Sequence, residues 1–90
     1  MQQKFDWYLL VGDQAATSLI EDRLKQLPAH AQSVVIIEND TEALKNKVLK
    51  AMFPHGDYFT WIACDPPCAV ALKDLLVTVK GSQEEWIETT

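Results

Sequence analysis

The chain is short of nearly everything a membrane-spanning, secreted or nucleic-acid-binding protein needs. No apolar run approaches the roughly 20 residues of a bilayer span. Met1-Gln2-Gln3-Lys4 opens without the hydrophobic stretch of a secretory signal. Cysteine occurs twice, at Cys64 and Cys68, whereas a disulfide framework uses more cysteines and spreads them wider. The two histidines, His30 and His55, stand far apart in loops and read as surface residues, so a zinc site lacks ligands. Glycine occurs three times, and no loop holds the three glycines of the dinucleotide fingerprint. Basic residues number 8 against 13 acidic ones, a net charge of −5. A negative surface repels phosphate backbones, so no nucleic-acid partner is expected. No serine–histidine–acid set, metal-binding helix motif or paired carboxylates can be assembled. These absences point to a cytoplasmic protein with two reduced thiols.

What is present is one domain's worth of alternating strands and helices. Ninety residues, 48% of them apolar, suffice for a single core that hides about 60–65% of the unfolded chain's surface. Trp7-Tyr8-Leu9-Leu10-Val11 is a continuous apolar run, which predicts a strand covered on both faces. After Gly12-Asp13, apolar residues recur at helical spacing from Ala15 to Leu27, with Asp13 as the capping residue and Pro28 as the stop. Val34-Val35-Ile36-Ile37 predicts a second buried strand. A second helix follows Asn39-Asp40-Thr41, with Leu44, Val48, Leu49 and Met52 on its inner side. Tyr58 to Ala63 predicts a third strand. Asp65-Pro66 opens a third helix with Ala69, Leu72, Leu76 and Val79 inward and Gly81 closing it. Trp86-Ile87-Glu88-Thr89 predicts a short fourth strand.

Helices between successive buried strands require right-handed crossovers. The expected fold is therefore a three-layer α/β/α domain, Rossmann-like, with a four-stranded parallel sheet of order 2-1-3-4 and three helices. In such sheets ligands collect beyond the carboxyl ends of the strands, where the winding reverses. That places a crevice between the turns Gly12–Thr17 and Ala63–Cys68.

Two blocks of this chain resemble a known family. Asp6-Trp7-Tyr8-Leu9-Leu10-Val11-Gly12-Asp13, with a helix ending in Leu27-Pro28, resembles the opening of the carboxyl-terminal domain of siderophore-interacting proteins. Gly56-Asp57-Tyr58-Phe59-Thr60-Trp61-Ile62-Ala63, followed by an acidic residue and Ala69-Val70-Ala71-Leu72, is similar to that family's second block. The family comprises flavin-dependent ferric-siderophore reductases of the ferredoxin-reductase superfamily. The chain departs from the pattern in having Gln14-Ala15 where the family has glutamate and threonine, and Ser18 where it has proline. Its stretch from Glu38 to Gly56 is short, as though one strand were missing. The family's amino-terminal flavin-binding barrel has no counterpart, so the chain is either a fragment or a stand-alone relative.

The resemblance implies NADH or NADPH as cofactor, with FAD reached only through the missing domain, and a flavin-binding domain or protein as partner. Gly12 and Asp13 then lie where a phosphate meets a helix amino terminus, or else form an ordinary turn and cap. Glu38 is placed to accept ribose hydroxyls and to disfavour a 2′-phosphate, or else stands as a solvated carboxylate. Cys64-Asp65-Pro66-Pro67 resembles the cysteine-glycine-proline-proline of ferredoxin-reductase relatives, where the cysteine lies at the nicotinamide's edge. Cys64 would line that cleft, with a lowered pKa if it feels the helix terminus, while Asp65 caps the helix; alternatively Cys64 is a small packing residue. Trp7, Tyr8, Phe59 and Trp61 suit stacking on a flavin or aryl siderophore, or a core. Lys45, Lys47 and Lys50 suit an anionic siderophore or a solvated helix face.

Three functions follow. The first is the NAD(P)H-side domain of a ferric-siderophore reductase, without activity on its own. The second is a non-catalytic α/β module that binds a partner or forms a homodimer, with the last strand as pairing edge. The third, a small redox protein using Cys64 and Cys68, is disfavoured because three residues separate the cysteines where thioredoxin-like sites have two.

Overall fold

A computed structural model of the chain describes residues 5–28 and 31–89; His30 and the opening Met1 to Lys4 lie outside the described residues. The strands are β1 (Trp7–Gly12), β2 (Gln32–Ile37), β3 (Tyr58–Ala63) and β4 (Ile87–Thr89), and the helices are α1 (Thr17–Gln26), α2 (Thr41–Lys50) and α3 (Pro66–Thr78). All strand pairs are parallel and the sheet order is β2-β1-β3-β4. This is the expected α/β architecture and order.

β1 is continuous in apolar residues because it is paired on both sides and covered on both faces. Trp7, Leu9 and Val11 point into the core beneath α2 and α3, together with Leu44, Val48 and Leu72. Leu10 points the other way and packs with Ala16, Ile20, Trp61 and Ala63 beneath α1. One helix on that face against two on the other makes the second core the smaller. The aromatics divide accordingly. Trp7 stacks on Tyr58 with ring centroids 4.3 Å apart and meets Phe53 edge-on at 5.1 Å, inside the larger core. The two halves of the sheet are tied at its amino end by Asp6 and Asp57. The Asp6 amide donates to the Asp57 carbonyl at 2.7 Å, and the Asp57 amide donates to Asp6 Oδ2 at 2.7 Å.

Several local expectations change. Asp13 Oδ1 accepts the Ala16 amide at 3.0 Å, but the turn it caps is a 3-10 turn, Gln14–Ala16, and α1 begins only at Thr17. Leu27 takes the extended conformation that Pro28 demands and ends α1. β2 is an edge strand, not a buried one: Ile36 is its one buried residue and Val35 is exposed. Leu49, Met52 and Val79, assigned to inner faces, are exposed, while Cys68 and Leu75 fill the core under α3. Met52 and Val79 lie beyond the ends of α2 and α3, and Leu49 falls outside the narrow stripe of Leu44 and Val48. Trp86 belongs to a 3-10 turn before β4, and Gly81, at φ +72°, closes α3 as expected.

Leu44 and Leu49 differ in burial within one helix, and their truncation separates core from surface. Leu44→Ala is expected to cost about 2–5 kcal/mol and Leu49→Ala about 0.5 kcal/mol or less, as read by urea unfolding of the two variants.

Candidate functional site

The carboxyl end of the sheet is drawn together around Gly12. In the ladder Gly12 stands level with Ile37 on one side and Ala63 on the other. Its carbonyl accepts the Glu38 amide at 3.1 Å, and the next residue, Asp13, donates its amide to the Ala63 carbonyl at 3.3 Å. A Cβ at Gly12 would sit 2.7 Å from that carbonyl oxygen and 2.8 Å from Ile20 Cδ1. Glycine is therefore required by protein packing on itself; no ligand need be invoked for it.

All five sequence-derived residues, Gly12, Asp13, Glu38, Cys64 and Asp65, lie on this one rim. Glu38 follows β2, is half-buried, and its Oε1 stands 3.2 Å from Lys47 Nζ of α2. Lys45 pairs with Glu42 at 3.6 Å, so two of the three α2 lysines have local carboxylate partners. Cys64 follows β3, and Asp65 begins α3. The sequence assigned Asp65 as the cap of that helix, but its side chain makes no capping bond; only its carbonyl engages, accepting the Ala69 amide at 2.8 Å.

The electrostatics of the rim are set by carboxylates. The Cys64 thiol is pushed up from 9.0 to about 12 by burial, by its hydrogen bond to Cys68 and the charge there, and by Asp13 and Asp65. The bond from the Asp13 amide to the Ala63 carbonyl sets the two turns on a shared edge. The raised value overturns the lowered-pKa reading. Pro66 and Pro67 remove two amide donors from the start of α3, so little remains there to stabilise a thiolate.

The donor set decides which ligand groups fit. In the first turn, the Asp13 amide is bonded to Ala63, the Gln14 amide to Asn39 Oδ1 at 3.3 Å, and the Ala16 amide to Asp13. A pyrophosphate needs free amides or cations, and this rim offers neither in quantity. Hydroxyls and a carboxamide need acceptors, and the carboxylates of Asp13, Glu38 and Asp65 supply them. The rim therefore offers acceptors to hydrogen-bond donors and few free groups to an anion.

The chain has counterparts. The family model of siderophore-interacting protein matches residues 5–48. The match bears out the first block of the resemblance and includes Gly12, Asp13 and Glu38. No curated protein sequence matches the chain. Among solved structures, the crystal structure of a siderophore utilization protein from T. fusca is similar over 99% of this chain, with a TM-score of 0.71 and 17% identity. The chain spans 45% of the length of that protein. At that identity the likeness speaks for the fold.

A cavity of about 450 Å³ lies at the opposite, amino end of the strands, on the face that α1 alone covers. Tyr8, Phe59, Trp61, Arg23 and Leu27 are among its walls. Arg23 lies 4.6 Å over the Trp61 ring and pairs with Glu88 at 2.8 Å. Trp61 is buried as core, while Tyr8 and Phe59 are half-exposed. The signal for this groove was the shared parity of Tyr8 with Leu10 and of Phe59 with Trp61, which sets them on the face with one helix. Among the described residues no cluster of three or more histidine, cysteine or acidic residues is arranged to hold a metal ion, and no helix is long and apolar enough to cross a membrane.

Three outcomes test the rim. Gly12→Ala is expected to destabilise by about 1–3 kcal/mol through overpacking against Ala63 and Ile20, measured by chemical unfolding. The raised Cys64 value means that the folded state keeps the proton between pH 9 and about 12 while the unfolded state releases it. Folding stability is thus unaffected by this group below pH 9 and falls as pH rises above it. Alkylation of Cys64 at neutral pH is expected to be slow and to speed up in Asp65→Asn; an equal rate in both would remove the Asp65 contribution.

Proposed function

We propose that this chain is the nicotinamide-side half of a ferric-siderophore reductase and has no reductase activity without a flavin-bearing half. The observation that carries the reading is the siderophore-interacting family match over residues 5–48, which spans the turn and strand end that form the acceptor-rich rim. The parallel sheet and the shared edge of the Gly12 and Cys64 turns support it. The Glu38 carboxylate receives ribose hydroxyls, and Asp65, whose side chain makes no capping bond, receives the carboxamide. Cys64 stays a neutral thiol at the edge of the ring and takes no part in proton or electron transfer. When bound, the nicotinamide supplies a hydride to a flavin; this chain supplies placement.

The amide bonds already made within the first turn favour a second reading, the non-catalytic interaction module, in which the rim holds no nucleotide. Titration of the chain with NADH and NADPH, followed by backbone NMR, separates the two. The reductase reading expects saturable shifts at Gly12, Glu38 and Cys64. It expects NADH to bind at least as well as NADPH, because a 2′-phosphate would face Glu38. Glu38→Gln is expected to weaken NADH about 2–10-fold, the worth of one hydrogen bond. Absence of shifts at millimolar nucleotide would leave the interaction module.

A further inference from the structure

β2 has the composition of an interior strand and the position of an edge. Its residues Gln32–Ile37 include no charge, no proline and no glycine. Native edge strands are usually blunted by lysine, proline, a bulge or shortness. The opposite edge follows that rule: β4 is three residues long, and its Glu88 is engaged by Arg23. Doubly wound sheets of order 3-2-1-4-5-6 carry a further strand outside the second one. Here α2 leads straight back across β1 to β3, and among the described residues no strand pairs with the outer side of β2.

The phase of the ladder identifies the free groups. The Glu38 amide points to β1, where it meets the Gly12 carbonyl. Alternation then turns the amides of Ile36 and Val34 toward β1, and the amide and carbonyl groups of Ser33, Val35 and Ile37 outward. These three positions are symmetric about Val35, whose side chain is 40% exposed.

We propose that β2 pairs antiparallel with β2 of a second copy of this chain, about a two-fold axis at Val35, so that two four-stranded sheets become one of eight strands. The pairing sets Val35 against its own counterpart and Ser33 against Ile37, each copy presenting the same patch, as a two-fold interface requires. Glu38 then falls opposite Gln32, so the register brings no like charges face to face. A chain with a net charge of −5 repels its copies elsewhere, which makes an uncharged stretch with free backbone groups the place where two copies can meet. The inference does not depend on nucleotide binding.

The test is sedimentation equilibrium of the 90-residue chain, joined to amide hydrogen exchange at low and high protein concentration. The wild type is expected to dimerise, with Ser33, Val35 and Ile37 amides gaining protection as concentration rises. Val35→Lys sets two ammonium groups against each other across the axis and is expected to weaken the dimer by about tenfold or more. Val35→Pro removes an amide that β1 does not use and is expected to do the same while leaving the monomer folded. Should the proline variant fail to fold, the lysine variant, altered only at an exposed side chain, still decides. A wild type that stays monomeric at millimolar concentration overturns the proposal. So does a dimer that persists in the folded variants, or exchange at Ser33, Val35 and Ile37 that ignores concentration.

Discussion

The pinch at Gly12 is the constraint on which the domain's functional edge depends. One residue stands level with both neighbouring strands. Its carbonyl holds the turn after β2, and the amide that follows it holds the end of β3. Any side chain there would push against backbone and against Ile20 of α1. The turns after β1, β2 and β3 are therefore fixed relative to one another by close packing, before any ligand is considered. The convergence of Asp13, Glu38 and Asp65 is a consequence of how the sheet closes.

That closure also sets the chemistry of the edge. Bonds made inside the first turn occupy the amides that an anion would use, and Pro66 and Pro67 lack amides altogether. What remains facing the rim is oxygen. Burial first, then the hydrogen bond and charge of Cys68, and after these the carboxylates of Asp13 and Asp65 keep the Cys64 thiol protonated. An edge of this kind is richer in acceptors for hydrogen-bond donors than in groups for anions.

Much of this was legible in the sequence. β3 was bounded residue for residue by its run of apolar and aromatic side chains, and the sheet order followed from strand–helix alternation. The two blocks of the resemblance begin with Asp6 and with Gly56-Asp57, and these are the residues that bond to each other across the sheet. Gly56 sits at φ +110° against the Asp6 carboxylate, a conformation and a closeness that only glycine allows. What could not be read was set by distances across the fold. Periodicity marks a helical face but neither its width nor where the helix ends, so Leu49 and Val79 were assigned inward. The Cys64 environment depends on Asp13, more than fifty positions away in the chain. The groove beside Trp61 exists because one helix covers a face that has room for more.

β2 shows how these two kinds of information meet. Apolar composition was read as burial, and in this sheet the inference failed on position. Composition was nonetheless informative, because a strand without charge, proline or bulge has no device against pairing. In a full doubly wound sheet the next strand would satisfy its outer amides and carbonyls. With α2 crossing straight to β3, no strand among the described residues satisfies them in the monomer. Six residues of unguarded edge in a domain with a net charge of −5 set two terms in opposition: long-range repulsion between copies, screened within about 8–10 Å at physiological salt, and short-range backbone pairing. The first term fades with ionic strength and the second does not, so salt favours the pairing of edges over the separation of charges.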